Sequence, residues 1–250
     1  MNPLWNIIFF ITALLYSSGG LGGASAYLAY LSVAGIEYKY IPAYALILSI
    51  ISTFTSSFNW IKHSKKMIIP IILFSIPTSF LGGTIKIQKE VFTVLSASVL
   101  LTIGIIMLIP IEKIRKKNDQ SSGTSPLKYI YILPLSALFG LIGGIIGIGC
   151  GVFLFPLLYL TGTANEKESA SAGTIFILAN SVFGLAGHLT KLKELPIGII
   201  VPPAISVILG AFVGSYFAAN KLPPRLVKII FAVVVIIIAI IMLSEQLLHY

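Results

Sequence analysis

The chain has 250 residues, of which 57% are hydrophobic and 10% charged, with a mean hydropathy of +0.99. Soluble domains carry about 25% charged residues, so this sequence has too few polar side chains to cover a water-facing surface, which argues against a soluble globular protein. The net charge of +9 would suit nucleic acid in a soluble protein, but here the basic residues sit in short loops between apolar runs. Loops of that kind orient a membrane protein, and no nucleic-acid partner is expected.

The first apolar run, at about 4–16, ends in Gly19-Gly20-Leu21-Gly22-Gly23 before a second run at 24–35. Ala24-Ser25-Ala26 mimics a signal-peptide cleavage site, but the first Lys is Lys39. Without a positive n-region, no cleavage is expected. Runs at 41–61, 67–85 and 91–111 follow, and each approaches the roughly 20 residues a spanning helix needs. Residues 112–126 form a hydrophilic linker rich in charge, Ser and Gly. Beyond it, a run at 127–146 meets Gly143-Gly144-Ile145-Ile146-Gly147-Ile148-Gly149-Cys150-Gly151 before a short run at 150–161. Runs at 170–189, 196–218 and 226–243 complete the chain.

The central linker prompts a search for an internal repeat. One ungapped offset of 127 pairs Leu14 with Leu141, Gly20 with Gly147, Gly22 with Gly149, Gly35 with Gly162, Ala45 with Ala172, Lys66 with Lys193 and Gly83 with Gly210. The expected organisation is a first transmembrane repeat at 1–111, a cytoplasmic linker at 112–126 and a second transmembrane repeat at 127–250. If 4–35 and 127–161 each cross once as broken helices, the halves are parallel; if each folds as a re-entrant hairpin, the halves are inverted. The inverted arrangement places 12 of the 17 basic residues inside and the parallel one 10, so the positive-inside rule favours inversion. Arms of about 13 and 12 residues in the first hairpin also reach only part-way through a core about 30 Å thick. The expected fold is all-α: a multi-pass cell-membrane protein with two inverted repeats, each a Gly-broken re-entrant hairpin plus three transmembrane helices.

A glycine break at membrane depth is tolerated where the freed backbone is buried in protein or lines a wet cavity. A helix that begins there points unpaired N–H groups and partial positive charge at an anion. The arms starting near Ala24 and Val152 would do this from the two halves. The competing role for these glycines is close helix packing. Polar residues gather on the next helix of each half: Ser49, Ser52, Thr53, Thr55, Ser56, Ser57 and Asn59 in the first, and Thr174, Asn180, Ser181 and His188 in the second. The 3–4 spacing of Ser52, Thr55, Ser56 and Asn59 puts them on one face, where they could replace part of an anion's hydration shell or simply bond neighbouring helices. Cys150 is expected to be structural, a small residue in a tight turn, and His188 a boundary residue. The span interiors lack Asp and Glu, which argues against a carboxylate proton relay. No metal cluster, acidic pair or phosphate-binding loop motif occurs, so neither an enzyme nor a cofactor is expected.

The segment Gly-Leu-Ile-Gly-Gly-Ile-Ile-Gly-Ile-Gly-Cys-Gly-Val-Phe-Leu-Phe-Pro-Leu-Leu at 140–158, then Ala172-Gly173-Thr174, Asn180-Ser181 and Gly210-Ala211-Phe212-Val213-Gly214-Ser215, resembles the sulfite exporter TauE/SafE family of membrane permeases. A weaker first copy is Gly19-Gly20-Leu21-Gly22-Gly23 with Gly82-Gly83. It departs from the second in having Ala29 where Pro156 stands. The resemblance implies movement of sulfite or another small organosulfur or sulfonate anion. It places Gly20, Gly22, Gly147, Gly149, Gly151, Thr174 and Asn180 along the pathway, and Ser52 joins them as a candidate substrate-binding residue. The expectation is alternating access around a midplane site between the repeats, in contact with a small anion and the lipid bilayer. An anion channel and a non-transporting scaffold subunit are the alternatives.

Overall fold

The computed structural model describes residues 3–108, 126–192 and 194–220, with single helical positions at 233, 236, 237, 239, 240 and 244. The predicted linker at 112–126, apart from its last residue, and most of the run at 226–243 lie outside the described residues. What is described is helical: α1 (Pro3–Ser18), α2 (Ala24–Val33), α3 (Ile41–Trp60), α4 (Ile68–Thr84), α5 (Lys89–Leu108), α6 (Pro126–Ile146), α7 (Gly151–Leu160), α8 (Glu166–Leu189) and α9 (Val201–Asn220). Single 3₁₀ turns at Ile61–His63 and Ile197–Ile199 follow α3 and precede α9.

Most boundaries fall within three residues of the apolar runs, with two instructive exceptions. α8 begins at Glu166, four residues before its apolar run, because Asn165 and Glu168 form a capping box in which each side chain accepts from the other's backbone N–H at 3.0 Å. α9 begins at Val201, later than its run, with Pro202 and Pro203 in the first turn, where a missing N–H costs no hydrogen bond.

The arms of the first pair fold back on each other. Trp5 meets Tyr30 edge-on at 6.5 Å between ring centroids, Phe9 meets Tyr27 at 5.6 Å, and the Tyr16 and Ser25 hydroxyls bond at 2.9 Å. A straight continuation of α1 would carry Tyr30 roughly 37 Å from Trp5 at 1.5 Å per residue. Phe139 and Phe153 stack at 5.3 Å across the corresponding turn of α6 and α7. The arms are unequal: α1 has 16 residues and α6 has 21, while α2 and α7 have 10 each. α1 is therefore three residues longer than its apolar run at 4–16, while α6 matches its run at 127–146 to within one residue. Only α2 and α7, roughly 15 Å long, are clearly too short to cross a bilayer core.

Backbone detail recurs at the offset of 127. Gly20 and Gly147 have φ of 72° and 84°, Gly35 and Gly162 have 74° and 64°, and Gly23 at 74° corresponds to Cys150 at 40°. Leu21 N–H bonds Tyr16 O as Ile148 N–H bonds Gly143 O, and Ile36 N–H bonds Leu31 O as Thr163 N–H bonds Leu158 O. Each is the six-to-one bond that closes a helix on a left-handed residue. Glycine supplies that conformation without a Cβ penalty, and so four arm ends terminate alike.

α3 and α8 form the central contact and run antiparallel. Ser49 lies beside Ser181, Lys65 pairs with Glu168 at 2.8 Å, and Tyr44 donates to Pro196 O at 3.0 Å. Around them stand two groups of helices. α4 lies along α6, with Gly140 and Gly144 against the Ser75 and Ser79 carbonyls, and it also lies along α8. α1 lies along α9, with Gly210 and Gly214 against the Phe10 and Leu14 carbonyls, and α9 also packs on α3. The i, i+4 glycines let backbones approach closely, as small residues do between membrane helices. Each group thus mixes helices from before and after residues 112–126. The outer surface carries Phe54, Phe58, Leu73, Phe74, Tyr131, Ile205 and Phe212, all exposed. A belt of that kind is solvated by lipid tails. Ile41–His63, Lys167–Leu189 and Val201–Ala218 are long and apolar enough to cross a membrane.

Candidate functional site

The two glycine turns converge on one face of α8. Gly20 is pressed against Ala170, where an added Cβ would lie 2.6 Å from the carbonyl oxygen. The Thr174 hydroxyl donates to Gly20 O at 2.8 Å and shares its proton with Ala170 O at 3.0 Å. A Cβ at Gly173 would sit 3.6 Å from both Gly20 O and Gly151 O, so this one position touches both turns. One helical turn further on, the Ile177 side chain fills the space between them. A Cβ at Gly22 or Gly149 would come within 2.8 or 3.1 Å of its Cγ2, and one at Gly151 would overlap its Cγ1. α3 completes the enclosure, with Ser49 and Thr53 against Gly22 and Pro42 against Gly147.

Of the five predicted glycines, Gly20 lies against Thr174, Gly22, Gly149 and Gly151 lie against Ile177, and Gly147 lies apart from both, against Pro42 of α3. Ser52 stands at the edge of this cluster, bonded to Ser17 in the last turn of α1 at 3.1 Å. Asn180 is turned elsewhere. Its amide donates to Ser75 Oγ on α4 and to Phe176 O, both at 2.9 Å, while Ser79 donates to the Asn180 backbone carbonyl. Its Oδ1 is buried without a partner. The face predicted from Ser52, Thr55, Ser56 and Asn59 is split. Ser49, Ser52, Thr53, Ser56 and Trp60 are buried, whereas Asn59 reaches sideways to Ser215 on α9 at 2.9 Å. Positions 55 and 59 lie on the flank of the face centred on 49, 52, 56 and 60, on the side where α9 packs.

Neither α2 nor α7 has a side-chain cap: the N-cap residues Gly23 and Cys150 are left-handed, and only their backbone carbonyls accept from the first turn, from Tyr27 N–H and Phe153 N–H. The first N–H groups of both helices thus carry the partial positive charge of a helix start, in an interior of small residues. Cys150 is fully buried with its side chain against Gly143. The opposite ends, where α1 and α6 stop, are closed by ring nitrogens. Trp60 Nε1 donates to Ser17 O at 3.1 Å, and His188 Nε2 lies 2.7 Å from Gly144 O. A carbonyl can only accept, so Nε2 carries the proton. Carbonyls 17 and 144 are again 127 apart. His188, predicted as a boundary residue, is buried at the end of α8 and closes the second break.

Sequence reasoning missed two side chains packed beside the turns, Ile177 against Gly22, Gly149 and Gly151 and Tyr27 against Gly23. Nothing marks Ile177 among so many aliphatic residues. Tyr27 could have been found by reading the halves against each other, since its counterpart is Leu154.

The family model described as "Sulfite exporter TauE/SafE" matches residues 6–242. A "Probable membrane transporter protein y4hK" from Sinorhizobium fredii is 24% identical over 241 residues, covering 92% of this chain and 94% of its own length. No solved structure matches the chain.

Proposed function

The chain belongs to the sulfite exporter TauE/SafE family, a family of membrane transporters, and from that premise we propose that it carries a small sulfur oxyanion, sulfite or an organosulfonate, by alternating access. The observation that carries the reading is that the two uncapped helix starts, at Gly23 and Cys150, lie next to glycines, Gly22 on one side and Gly149 and Gly151 on the other, that press on one residue of α8, Ile177. Backbone N–H groups at a helix start bind an anion without a buried Lys or Arg. In a low-dielectric interior such donors act strongly, and they need no reorganisation.

The same reading takes residues before and after 112–126 as two repeats, inverted in a cell membrane that the chain crosses several times. Its support is the antiparallel run of α3 and α8: equivalent helices that cross in opposite senses imply halves of opposite topology. The doubled-back arms with short α2 and α7 favour re-entrant hairpins. The mixed helix groups, α1–α3–α9 and α4–α6–α8, supply two bodies that can rock about the α3–α8 contact, as inverted-repeat carriers do. Ile177 and the glycines pressed on it describe a closed centre, so an anion enters by parting these groups.

Purified protein in liposomes tests this with radiolabelled sulfite and a panel of sulfonates. Saturable uptake that accelerates when unlabelled anion fills the opposite side is expected. Non-saturable flux would indicate a channel instead, and no flux of any anion would overturn transport of oxyanions altogether.

A further inference from the structure

The two turns share a backbone but not a chemistry. Around the first stand Tyr16, Ser17, Ser25, Tyr27, Ser49 and Ser52, all buried. The residues 127 further on are Gly143, Gly144, Val152, Leu154, Phe176 and Ala179. Most of the first set are occupied: Tyr16 with Ser25, Ser17 with Ser52, and Ser49 beside Ser181. Tyr27 is the exception. Its ring packs on Phe9, its relative exposure is 0%, and its hydroxyl has no hydrogen-bond partner. Ser52 stands near without completing a bond.

That hydroxyl is aimed at the start of α2, since a Cβ on the N-cap Gly23 would lie 2.8 Å from both Oη and Cζ of Tyr27. Packing does not account for it. Leu154, also 0% exposed, fills the equivalent place with no polar atom. A buried hydroxyl without a partner is costly and calls for an explanation. A phenol is also a better hydrogen-bond donor than an alcohol, which suits an acceptor-only ligand.

We propose that the Tyr27 hydroxyl donates directly to an oxygen of the transported oxyanion, which is held off-centre at the N-terminus of α2. This rests on the function proposed above and narrows it. The first turn supplies side-chain donors as well as backbone N–H groups, while the second supplies backbone alone. The ligand class is a small anion with exposed oxygens, sulfite or the sulfonate end of a longer molecule.

The test is uptake of radiolabelled sulfite by proteoliposomes holding wild-type, Tyr27→Phe, or protein with 3,5-difluorotyrosine at position 27, alongside thermal unfolding in detergent. Tyr27→Phe is expected to raise KM at least tenfold while the unfolding temperature holds or rises, because the change removes an unsatisfied polar atom. Difluorotyrosine, a stronger donor of the same shape, is expected to lower KM, and this readout stands even where the Phe variant folds poorly. Wild-type uptake with the same KM in all three proteins would overturn this assignment and leave the proposed function standing. Absence of oxyanion uptake by the wild type would overturn both.

Discussion

The first broken pair, α1 and α2, and the second, α6 and α7, solve one backbone problem with different side chains. Both stop a helix on a left-handed glycine, at 20 and 147, turn, and restart it from a left-handed residue that lends no cap. Both cover a carbonyl at that stop with a ring nitrogen, from Trp60 in one case and His188 in the other. Yet the first pair is lined by tyrosines and serines and the second by Gly, Val and Leu. The comparison separates two demands that a reading of either pair alone would merge. Reversing a chain inside a protein interior requires particular glycines, whereas the polarity of the side chains around the turn is free to differ between the pairs.

If the backbone problem is shared, the largest effects should be equal in the two halves. Gly20→Val would drive a Cβ to 2.6 Å from Ala170 O, and Gly147→Val to 2.6 Å from Pro42 Cα, each with φ in the left-handed region. Left-handed strain and overpacking together make a loss of about 4 kcal/mol the expectation for each. Thermal unfolding and yield in detergent measure it, and tolerance at either position would break the equivalence.

A smaller effect attends the ring donors. His188→Phe deprives the buried Gly144 carbonyl of its ring donor, at a cost of about 2 kcal/mol, and Trp60→Phe takes one of two donors from the Ser17 carbonyl, at a cost of about 1 kcal/mol. Ser17 O also accepts from Gly20 N–H at 3.2 Å, so the His188 change should be felt more in its hydrogen-bond component. Denaturation curves for the two variants, set beside His188→Gln, which retains a donor, would sharpen the point.

The smallest effect lies just past the end of α8, at a position that differs from its counterpart. Lys191, whose counterpart at 64 is Ser, donates to Ile85 O at 2.8 Å. Partial burial, and then the charge of Lys86, push its pKa down from the ordinary 10.5 to about 8. Below pH 8 the group is protonated whether folded or unfolded. Between about pH 8 and 10.5 the unfolded chain binds more protons, so this residue's contribution to stability rises with pH through that window. A carbon-13 dimethyl-lysine titration should find one ammonium with a midpoint near 8, and its absence would remove this asymmetry between the helix ends.

Much of this protein was legible in its sequence because lipid and backbone geometry act locally. Apolar runs of a given length declare helices wherever no water is available to satisfy the backbone. The glycine clusters at 19–23 and 143–151 mark where the chain stops and turns, and one offset aligns both. Family membership followed from the same residues. Capping polar residues outside an apolar run, as at Asn165, escaped a hydrophobicity reading because the signal there is a hydrogen-bond pattern rather than a period.

Tertiary structure alone decided which polar groups are spent and which are free. Thr174 and Asn180 look alike in sequence, yet one binds the first turn through Gly20 O and the other is turned to α4. Ile177 is one isoleucine among many until three glycines from both halves are found against it. Tyr27 becomes notable only when every neighbouring hydroxyl has been assigned a partner. The physical reason is common to all three: a side chain's chemistry is set by what surrounds it. In this fold those surroundings come from helices far apart in the chain, which no local pattern of residues encodes.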